Sequence, residues 1–139
     1  MDKKKLSSCY CKNIRRLSNN ITKYYNEYLK DTGLTLNQYS IMSSIHKIEP
    51  ATVTDIANEV GLERTTIVRD LKPLIKNGLV EDISEKGKRN KMIQLTNKGI
   101  EMHNNAEPYW NEAQEKIFNL LGPERLQDFV DILSILVDL

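Results

Sequence analysis

The 139-residue sequence lacks a long hydrophobic run. No apolar stretch approaches the roughly 18 residues that indicate a membrane-spanning helix. The lysine-rich start, Lys3 to Lys5, is not followed by the hydrophobic segment of a secretory signal peptide. We therefore expect a soluble cytoplasmic protein with no membrane association.

Cysteine is also scarce. The two residues, Cys9 and Cys11, are too few for a disulfide framework and have no clustered histidines beside them. A structural zinc site is therefore not expected, and the sequence indicates no cofactor. Cys9 or Cys11 with His46 would provide a nucleophile and a base, but no glycine-rich loop or recognisable catalytic motif supports them. We predict that the protein is not an enzyme.

Neither sign of charge dominates the chain as a whole, which has 20 basic and 19 acidic residues. The charges are nevertheless unevenly distributed. Residues 62–98 contain nine lysines and arginines against five acidic residues, whereas residues 99–139 contain two against eight. Because phosphate attracts basic groups and repels acidic ones, this distribution favours a nucleic-acid surface in the middle of the chain and not in its last third.

The segment from Val53 to Thr96 predicts a short helix, a turn, a second helix and a hairpin, in that order. Thr52 or Thr54 is a suitable N-cap for the first helix, and Gly61 can end it. From Leu62 to Lys76, apolar residues recur at steps of three and four. This spacing predicts a second helix with one buried stripe, formed by Ile67, Leu71, Leu74 and Ile75.

The other face of the second helix carries side chains that suit the major groove of DNA. Guanidinium groups pair bidentately with guanine, hydroxyl groups reach bases or phosphates, and lysine neutralises backbone charge. These side chains belong to Arg64, Thr65, Arg69 and Lys72.

A β-hairpin with a basic tip is predicted after Asn77 and Gly78, which end the second helix. Its strands are the β-prone runs Leu79 to Ile83 and Lys91 to Leu95, and the tip between them contains Lys88 and Arg89. A surface helix or a charged run alone is more often a solvated face than a binding site. Together, and in this order, the elements indicate a winged helix-turn-helix that binds DNA, in a mainly α fold with a small β-hairpin.

Further helices are predicted on either side of this unit. Leu6 to Lys30 forms a long first helix, and the capping box of Thr35 and Gln38 opens a second one that Pro50 closes. Thr96 or Asn97 opens the penultimate helix, Lys98 to Leu121, which Pro108 kinks or deprives of one backbone bond. Gly122 and Pro123 separate it from a final helix, Glu124 to Val137, which has a broad apolar face.

Such flanking helices fit a two-fold dimer. We expect a single domain over residues 1–139, in which residues 1–34 and 97–139 form the dimerisation helices and residues 35–96 form the DNA-binding unit. A homodimer places two reading helices about 34 Å apart on successive major grooves. The expected partner is therefore double-stranded DNA with a pseudo-palindromic site.

The chain resembles the MarR family, the multiple-antibiotic-resistance type of bacterial and archaeal regulators, over nearly its whole length. Helix order and lengths agree, and five stretches resemble family landmarks: Leu36-Asn37-Gln38-Tyr39, Asp55-Ile56-Ala57, Arg64-Thr65-Thr66 with Arg69, Asn77-Gly78-Leu79-Val80, and Leu95-Thr96-Asn97-Lys98-Gly99. The resemblance implies a dimeric transcription factor, usually a repressor, that is released when a small molecule or an oxidant changes the spacing of its two heads. It implies no catalysis.

The resemblance also assigns DNA contacts. Arg64, Thr65, Thr66 and Arg69 match recognition-helix positions, and Arg89 matches the wing arginine that enters the adjacent minor groove, where it reads groove width. Two residues depart from the family pattern. Gly87 replaces a common aspartate that orients the wing arginine, and Glu63 replaces a better helix cap.

Cys9 and Cys11 are candidates for a redox switch, because an oxidant reacts with accessible thiols whose thiolate is favoured by positive charge. Lys12, Arg15 and Arg16 follow them in sequence. If both cysteines are helical, they lie about 200° apart and cannot bond to each other without unwinding, so oxidation would involve the partner protomer or a single capped thiol. The alternative is that both are small packing residues in a reduced protein.

A small-molecule pocket is the competing switch. It would lie between the dimerisation helices and the reading head and would suit a flat aromatic effector such as a phenol. The candidate lining residues are Tyr24, Tyr28, Tyr39, Met42, His46, Met102, His103 and Trp110. Each of them is more often a core residue than a ligand contact, and His46 with His103 is a weaker candidate still for a metal pair.

A winged helix can also serve as a protein-interaction adaptor without sequence-specific DNA binding. The acidic terminal helices would suit such a role, whereas the basic recognition helix and wing favour DNA. We therefore predict a sequence-specific DNA-binding transcriptional regulator, with the adaptor as the alternative.

Overall fold

The computed structural model describes residues 5–139, so Lys3 and the first part of the predicted 1–34 segment lie outside the described residues. The described chain contains five helices and a two-stranded sheet, which confirms the predicted mainly α fold. In chain order, the elements are α1 (Tyr10–Leu29), α2 (Leu36–Ile48), α3 (Val53–Val60), α4 (Arg64–Lys76), β1 (Val80–Asp82), β2 (Ile93–Leu95) and α5 (Asn97–Leu136).

Threonine N-caps start α2 and α3, as the sequence predicts. The Thr35 hydroxyl accepts a hydrogen bond from the Gln38 backbone N–H at 3.2 Å, and the Gln38 side chain accepts one from the Thr35 N–H at 3.0 Å. Thr52 and Asp55 form the same reciprocal pair, with both distances 3.1 Å. Each box satisfies two backbone donors that the first helical turn leaves free, and it fixes where the helix begins.

The prediction that the first helix begins at Leu6 is wrong, because α1 begins at Tyr10. The Ser7 N–H donates to Asn13 Oδ1 at 2.9 Å, and Asn13 Nδ2 donates back to the Ser7 carbonyl at 2.8 Å. The Cys9 N–H donates to Ser7 Oγ at 3.0 Å. These bonds give the backbone an alternative to helical pairing, so Leu6 stays outside the helix and is 73% exposed.

The hydrophobic core lies in the middle of the chain, where α2, α3, α4 and the sheet pack together. Its fully buried side chains include Ile41, Met42, Ile45, Ile56, Ile67, Leu74 and Ile93. At the first helix, by contrast, only Tyr25 and Leu29 are buried, so most of α1 lies outside this core.

The helix α4 has a narrower buried face than predicted. It begins at Arg64, after the cap position Glu63, which is extended and makes no side-chain capping bond, and it ends at Lys76 as predicted. Ile67, Leu71 and Leu74 are buried as predicted. The prediction that Ile75 belongs to the stripe is wrong, since it is 39% exposed. It follows Leu74 by about 100° of helical rotation and so faces away from the core.

The hairpin is antiparallel, and Val80 pairs with Leu95, Glu81 with Gln94 and Asp82 with Ile93. Its strands are shorter than the predicted five-residue runs.

The wing is also attached to α2 and to the segment before α3. The backbones of Ala51 and Ile93 exchange hydrogen bonds of 2.9 and 2.8 Å. The Glu49 carboxylate accepts a further bond from the Leu95 N–H at 3.0 Å. These bonds tie the wing to the helices of the core.

The last helix contains one break in its backbone. Gly122 is not helical, with φ 78° and ψ 164°, so the predicted separation of two helices at this position is confirmed. The helical dihedral angles continue through Pro108, so its effect is limited to the missing N–H donor. Arg125 satisfies a carbonyl group at the end of the helical segment before Gly122, because its Nε donates to the Leu121 carbonyl at 2.7 Å.

The start of α5 lies directly against the turn that follows α4. The Thr96 hydroxyl donates to the Gly78 carbonyl at 2.6 Å and accepts from the Gly99 N–H at 3.0 Å. A Cβ atom on Gly99 would clash with the Leu79 carbonyl oxygen. Only glycine allows this approach, since a backbone carbonyl cannot move aside as a flexible side chain can.

Within residues 5–139, no helix combines the length and the apolar character needed to cross a membrane.

We expect Gly99→Ala to lower the free energy of unfolding by about 1–3 kcal/mol, because the added methyl group overpacks the contact with Leu79. Urea unfolding followed by circular dichroism measures the change. Asn105→Ala, on an exposed part of the same helix, is the control and should change stability by less than about 0.5 kcal/mol. Equal loss of stability in both variants would contradict the close contact.

Candidate nucleic-acid interface

The helix α4 presents a polar face to solvent. Gly61 ends α3 in the left-handed conformation at φ 78°, which lets the chain turn sharply into α4. Ile67, Leu71 and Leu74 hold α4 on the core. On the remaining surface, the predicted DNA contacts Arg64, Thr65, Arg69 and Lys72 are exposed and Thr66 is half-buried.

Arg69 is largely free to contact a partner. Its Nε lies 3.4 Å from Asp70 Oδ1, and its side chain is 73% exposed. An ion pair at this distance and exposure contributes little to stability. The guanidinium group can therefore exchange this contact for one with DNA at small cost.

The wing places Lys88 and Arg89 at the exposed tip of the hairpin. Ser84 anchors one side of the tip, since its hydroxyl and its N–H both donate to the Asp82 carboxylate, at 2.6 and 2.9 Å. These bonds lower the pKa of the Asp82 carboxyl, which is therefore ionised at neutral pH. Gly87 has φ 87°, a conformation that an aspartate at this position would adopt only with strain.

A groove with a volume of about 440 Å³ separates α4 from the wing. Its basic residues come from both elements, with Arg64 and Lys72 on α4 and Arg89 on the wing. The structure thus brings three of the sequence-predicted contacts to one concave surface. The groove also contains Val68 and Lys91. The sequence gives no signal for either residue, because Val68 is apolar and Lys91 lies in a predicted strand.

The predicted ligand-pocket residues form two separate aromatic groups. Tyr39 on α2 stacks on His103 of α5, with ring centroids 4.5 Å apart, and on Trp110 at 5.9 Å. Tyr24 and Tyr28 instead contact each other on α1, with ring centroids 5.1 Å apart. The remaining candidates differ in burial: Met42 is fully buried, Met102 is half-buried and His46 is exposed.

Each aromatic group links a helix to α5. His103 Nε2 lies 2.6 Å from the Ser43 hydroxyl, and Tyr24 Oη donates to the Ala113 carbonyl at 2.7 Å. Burial raises the pKa of Tyr24 to about 12, so it remains a neutral donor.

His103 is held neutral by its surroundings. Burial lowers the pKa of its imidazole, and His46, whose ring centroid is 6.3 Å away, lowers it further, whereas Glu107 opposes the shift. A neutral ring can stack on Tyr39 without the cost of burying a charge.

Cys9 and Cys11 are both exposed. Cys9 is the N-cap of α1 and is extended, with φ −88° and ψ 114°, whereas Cys11 lies in the first turn. The two are therefore not both helical, and the 200° separation derived for a continuous helix does not apply to them.

Comparison with known proteins identifies the family. A model of the MarR family matches residues 34–87, from the end of the α1–α2 connection to the tip of the wing. The HTH-type transcriptional regulator SarZ of Staphylococcus epidermidis is 33% identical over 121 residues, which cover 81% of this chain and 80% of SarZ.

The chain belongs to the MarR family.

Other relatives agree with this assignment. The uncharacterised HTH-type transcriptional regulator YwoH of Bacillus subtilis is 32% identical over 111 residues, which cover 80% of this chain and 75% of YwoH. The transcriptional regulator MosR of Mycobacterium tuberculosis, whose crystal structure was solved in complex with DNA, is 29% identical in sequence to this chain. The two structures superpose with a TM-score of 0.80, and the match covers 94% of this chain and 97% of the MosR chain. The predictions of a MarR-type winged helix-turn-helix and of a DNA-binding transcriptional regulator are thereby confirmed.

Proposed function

We propose that this MarR-family regulator acts as a homodimeric repressor that binds a pseudo-palindromic site on double-stranded DNA in the cytoplasm. The observation that carries the proposal is the groove between α4 and the wing, where basic side chains from both elements line one concave surface. Convergent basic groups of this kind suit a phosphate backbone and the bases between its strands.

In the proposed complex, α4 lies in the major groove and the wing reaches the adjacent minor groove. The major-groove contacts are Arg64, Thr65, Thr66, Arg69 and Lys72, and the wing contacts are Lys88 and Arg89. MosR, which has been solved with DNA bound, supports the proposal through the similarity of its fold and sequence.

The homodimer is proposed because a large apolar surface is left uncovered in the single chain. After the break at Gly122, the final helical segment is almost entirely exposed. So is the first half of α1. Soluble proteins seldom expose apolar surface on this scale unless a partner covers it. The exposed residues include Tyr10, Ile14, Leu17, Phe129, Val130, Ile132, Leu133, Leu136 and Val137.

We accordingly assign dimerisation to residues 1–34 and 97–139 and DNA contact to residues 35–96, within one MarR-type domain. The acidic side chains of the last third then lie away from the phosphate backbone.

We expect Leu133→Glu to convert the dimer into monomers, because it places a charge in the proposed apolar interface, where desolvation is costly. Light scattering after size-exclusion chromatography measures the mass. Gln127→Glu adds the same group at an exposed polar position of the same helix and should leave the dimer intact. A monomeric wild-type protein, or a dimeric Leu133→Glu variant, would contradict the assignment.

Arg69→Ala and Arg89→Ala test the DNA contacts. We expect each single substitution to weaken DNA binding about tenfold or more, because an arginine that contacts DNA is lost. The affinity of each variant should also depend less steeply on salt concentration. The measurement is fluorescence anisotropy on a duplex that the protein selects from a random-sequence library. Lys116→Ala, an exposed basic residue on α5, is the matched control and should bind as the wild type does.

Salt dependence also separates the regulator from the adaptor. A preference for the selected duplex that persists as salt is raised supports the regulator. If the library yields no enriched sequence, and both arginine variants bind a random-sequence duplex as the wild type does, the results support the adaptor.

We further propose that oxidation of Cys9 or Cys11 releases the DNA. Both thiols are exposed, and they lie at the start of α1, next to Tyr10 and Ile14 of the proposed dimer surface. Hydrogen peroxide converts a thiolate to a sulfenic acid with release of hydroxide, and a second thiol can then attack the sulfenic sulfur and release water to form a disulfide. Either product changes the size and polarity of the helix start and so the fit of the two protomers.

The expected result is a reversible loss of DNA affinity after mild peroxide, restored by a thiol reductant. It should be absent in a Cys9→Ser, Cys11→Ser double variant, whereas Ser8→Ala should respond as the wild type does. An equal loss in the double variant would reject the thiol switch. Unchanged binding of the oxidised wild type would favour a small aromatic effector at the stack of Tyr39, His103 and Trp110 instead.

A further inference from the structure

We propose that Val68 is a specificity-determining residue that reads the C5-methyl group of a thymine in the major groove. The proposal rests on the DNA-binding function proposed above, and it adds a base contact that involves no hydrogen bond.

Val68 is an apolar residue that the fold does not bury. It is 42% exposed, although the preceding residue, Ile67, is completely buried. Successive helical residues are about 100° apart, so Val68 lies beside the buried stripe of α4 and not within it. Valine is also a poorer helix former than alanine. Neither core packing nor helix propensity therefore explains a valine at this position.

The neighbours of Val68 on the helix surface are the proposed DNA contacts. Arg64 and Thr65 precede it by four and three residues, and Lys72 follows by four, so all three lie next to it on the helix. Val68 also lines the groove between α4 and the wing, together with Arg64, Lys72 and Arg89. Val68 is thus an exposed apolar side chain beside basic ones, in a groove that also contains the exposed Ile75.

Its position along the helix favours contact with bases over contact with the backbone. Val68 is the fifth residue of α4, and the N-terminal part of a recognition helix is the part that contacts base edges. A valine side chain has no donor or acceptor and cannot bind phosphate. The charged and hydroxyl-bearing neighbours of Val68 make the contacts with the DNA backbone in this region.

The chemistry of the major groove then identifies the target. Of the groups that the four standard bases present in the major groove, the C5-methyl group of thymine is the apolar one, and apolar side chains contact it. Valine in a helix is held almost entirely in one rotamer, so its methyl groups are positioned before binding. A cytosine at the same place would offer an unmethylated edge and lose the contact.

The test uses the full chain and the duplex that it selects from a random library. Each thymine is replaced in turn by deoxyuridine, which removes the methyl group and keeps the base pair. For the wild type we expect one thymine in each half-site at which the replacement weakens binding about fourfold, and about 15-fold when both half-sites are changed. Val68→Ala should bind the thymine duplex more weakly and should not distinguish thymine from deoxyuridine at that position.

Two further variants control for general damage to the surface. Ile75→Ala removes an exposed apolar side chain from the same groove, about 10 Å further along α4, and should keep the wild-type ratio of thymine to deoxyuridine affinity. Val68→Thr keeps the branched shape and one methyl group and should give an intermediate ratio.

Two results would overturn the assignment. One is a wild type that binds thymine and deoxyuridine equally at every position, and the other is a Val68→Ala variant that keeps the wild-type ratio. Failure of the selection to enrich any sequence is a different result, because it contradicts the proposed DNA-binding function itself.

Discussion

The close contact between the start of α5 and the turn after α4 is the constraint on which the rest of this structure depends. Gly99 lies directly against the Leu79 carbonyl, while the Thr96 hydroxyl bonds to both Gly78 and Gly99. The long helix therefore leaves the winged helix-turn-helix head in one fixed direction. Because the same helix continues to the uncovered apolar segment, this contact sets where α4 lies relative to the proposed dimer surface.

Features of the fold that depend on neighbouring residues could be predicted from the sequence. The capping boxes at Thr35 and Thr52 need only residues three positions apart, and Gly61 needs only its own backbone freedom. The buried stripe of α4 follows from helical period, which correctly selected Ile67 and Leu71. The basic side chains of the groove were predictable only in part, since Arg64, Lys72 and Arg89 are selected from the sequence and Lys91 is not.

Features that depend on particular side-chain bonds or on tertiary packing could not be predicted in this way. The start of α1 is set by side-chain bonds between Ser7 and Asn13, which compete with helical pairing. Val68 and Ile75 lie beside the buried stripe of α4, and how much of each stays exposed depends on how closely the wing packs against α4. Helical periodicity does not specify the separation of α4 and the wing. The stack of Tyr39 on a neutral His103 likewise needs two helices to meet, although both residues were already candidates on chemical grounds.

The attachment of the wing has a mechanical consequence. Because Ala51 and Glu49 bond to β2 from outside the hairpin, the base of the wing is fixed to the helices of the head. The 25 residues before Gly122 give α5 a length of about 37 Å, so that a tilt of about 5° at its far end displaces the head by about 3 Å. That displacement equals the length of a hydrogen bond to a base. In the proposed complex the long helix therefore acts as a lever, and a small angular change far from the DNA is enough to take α4 out of register with its site.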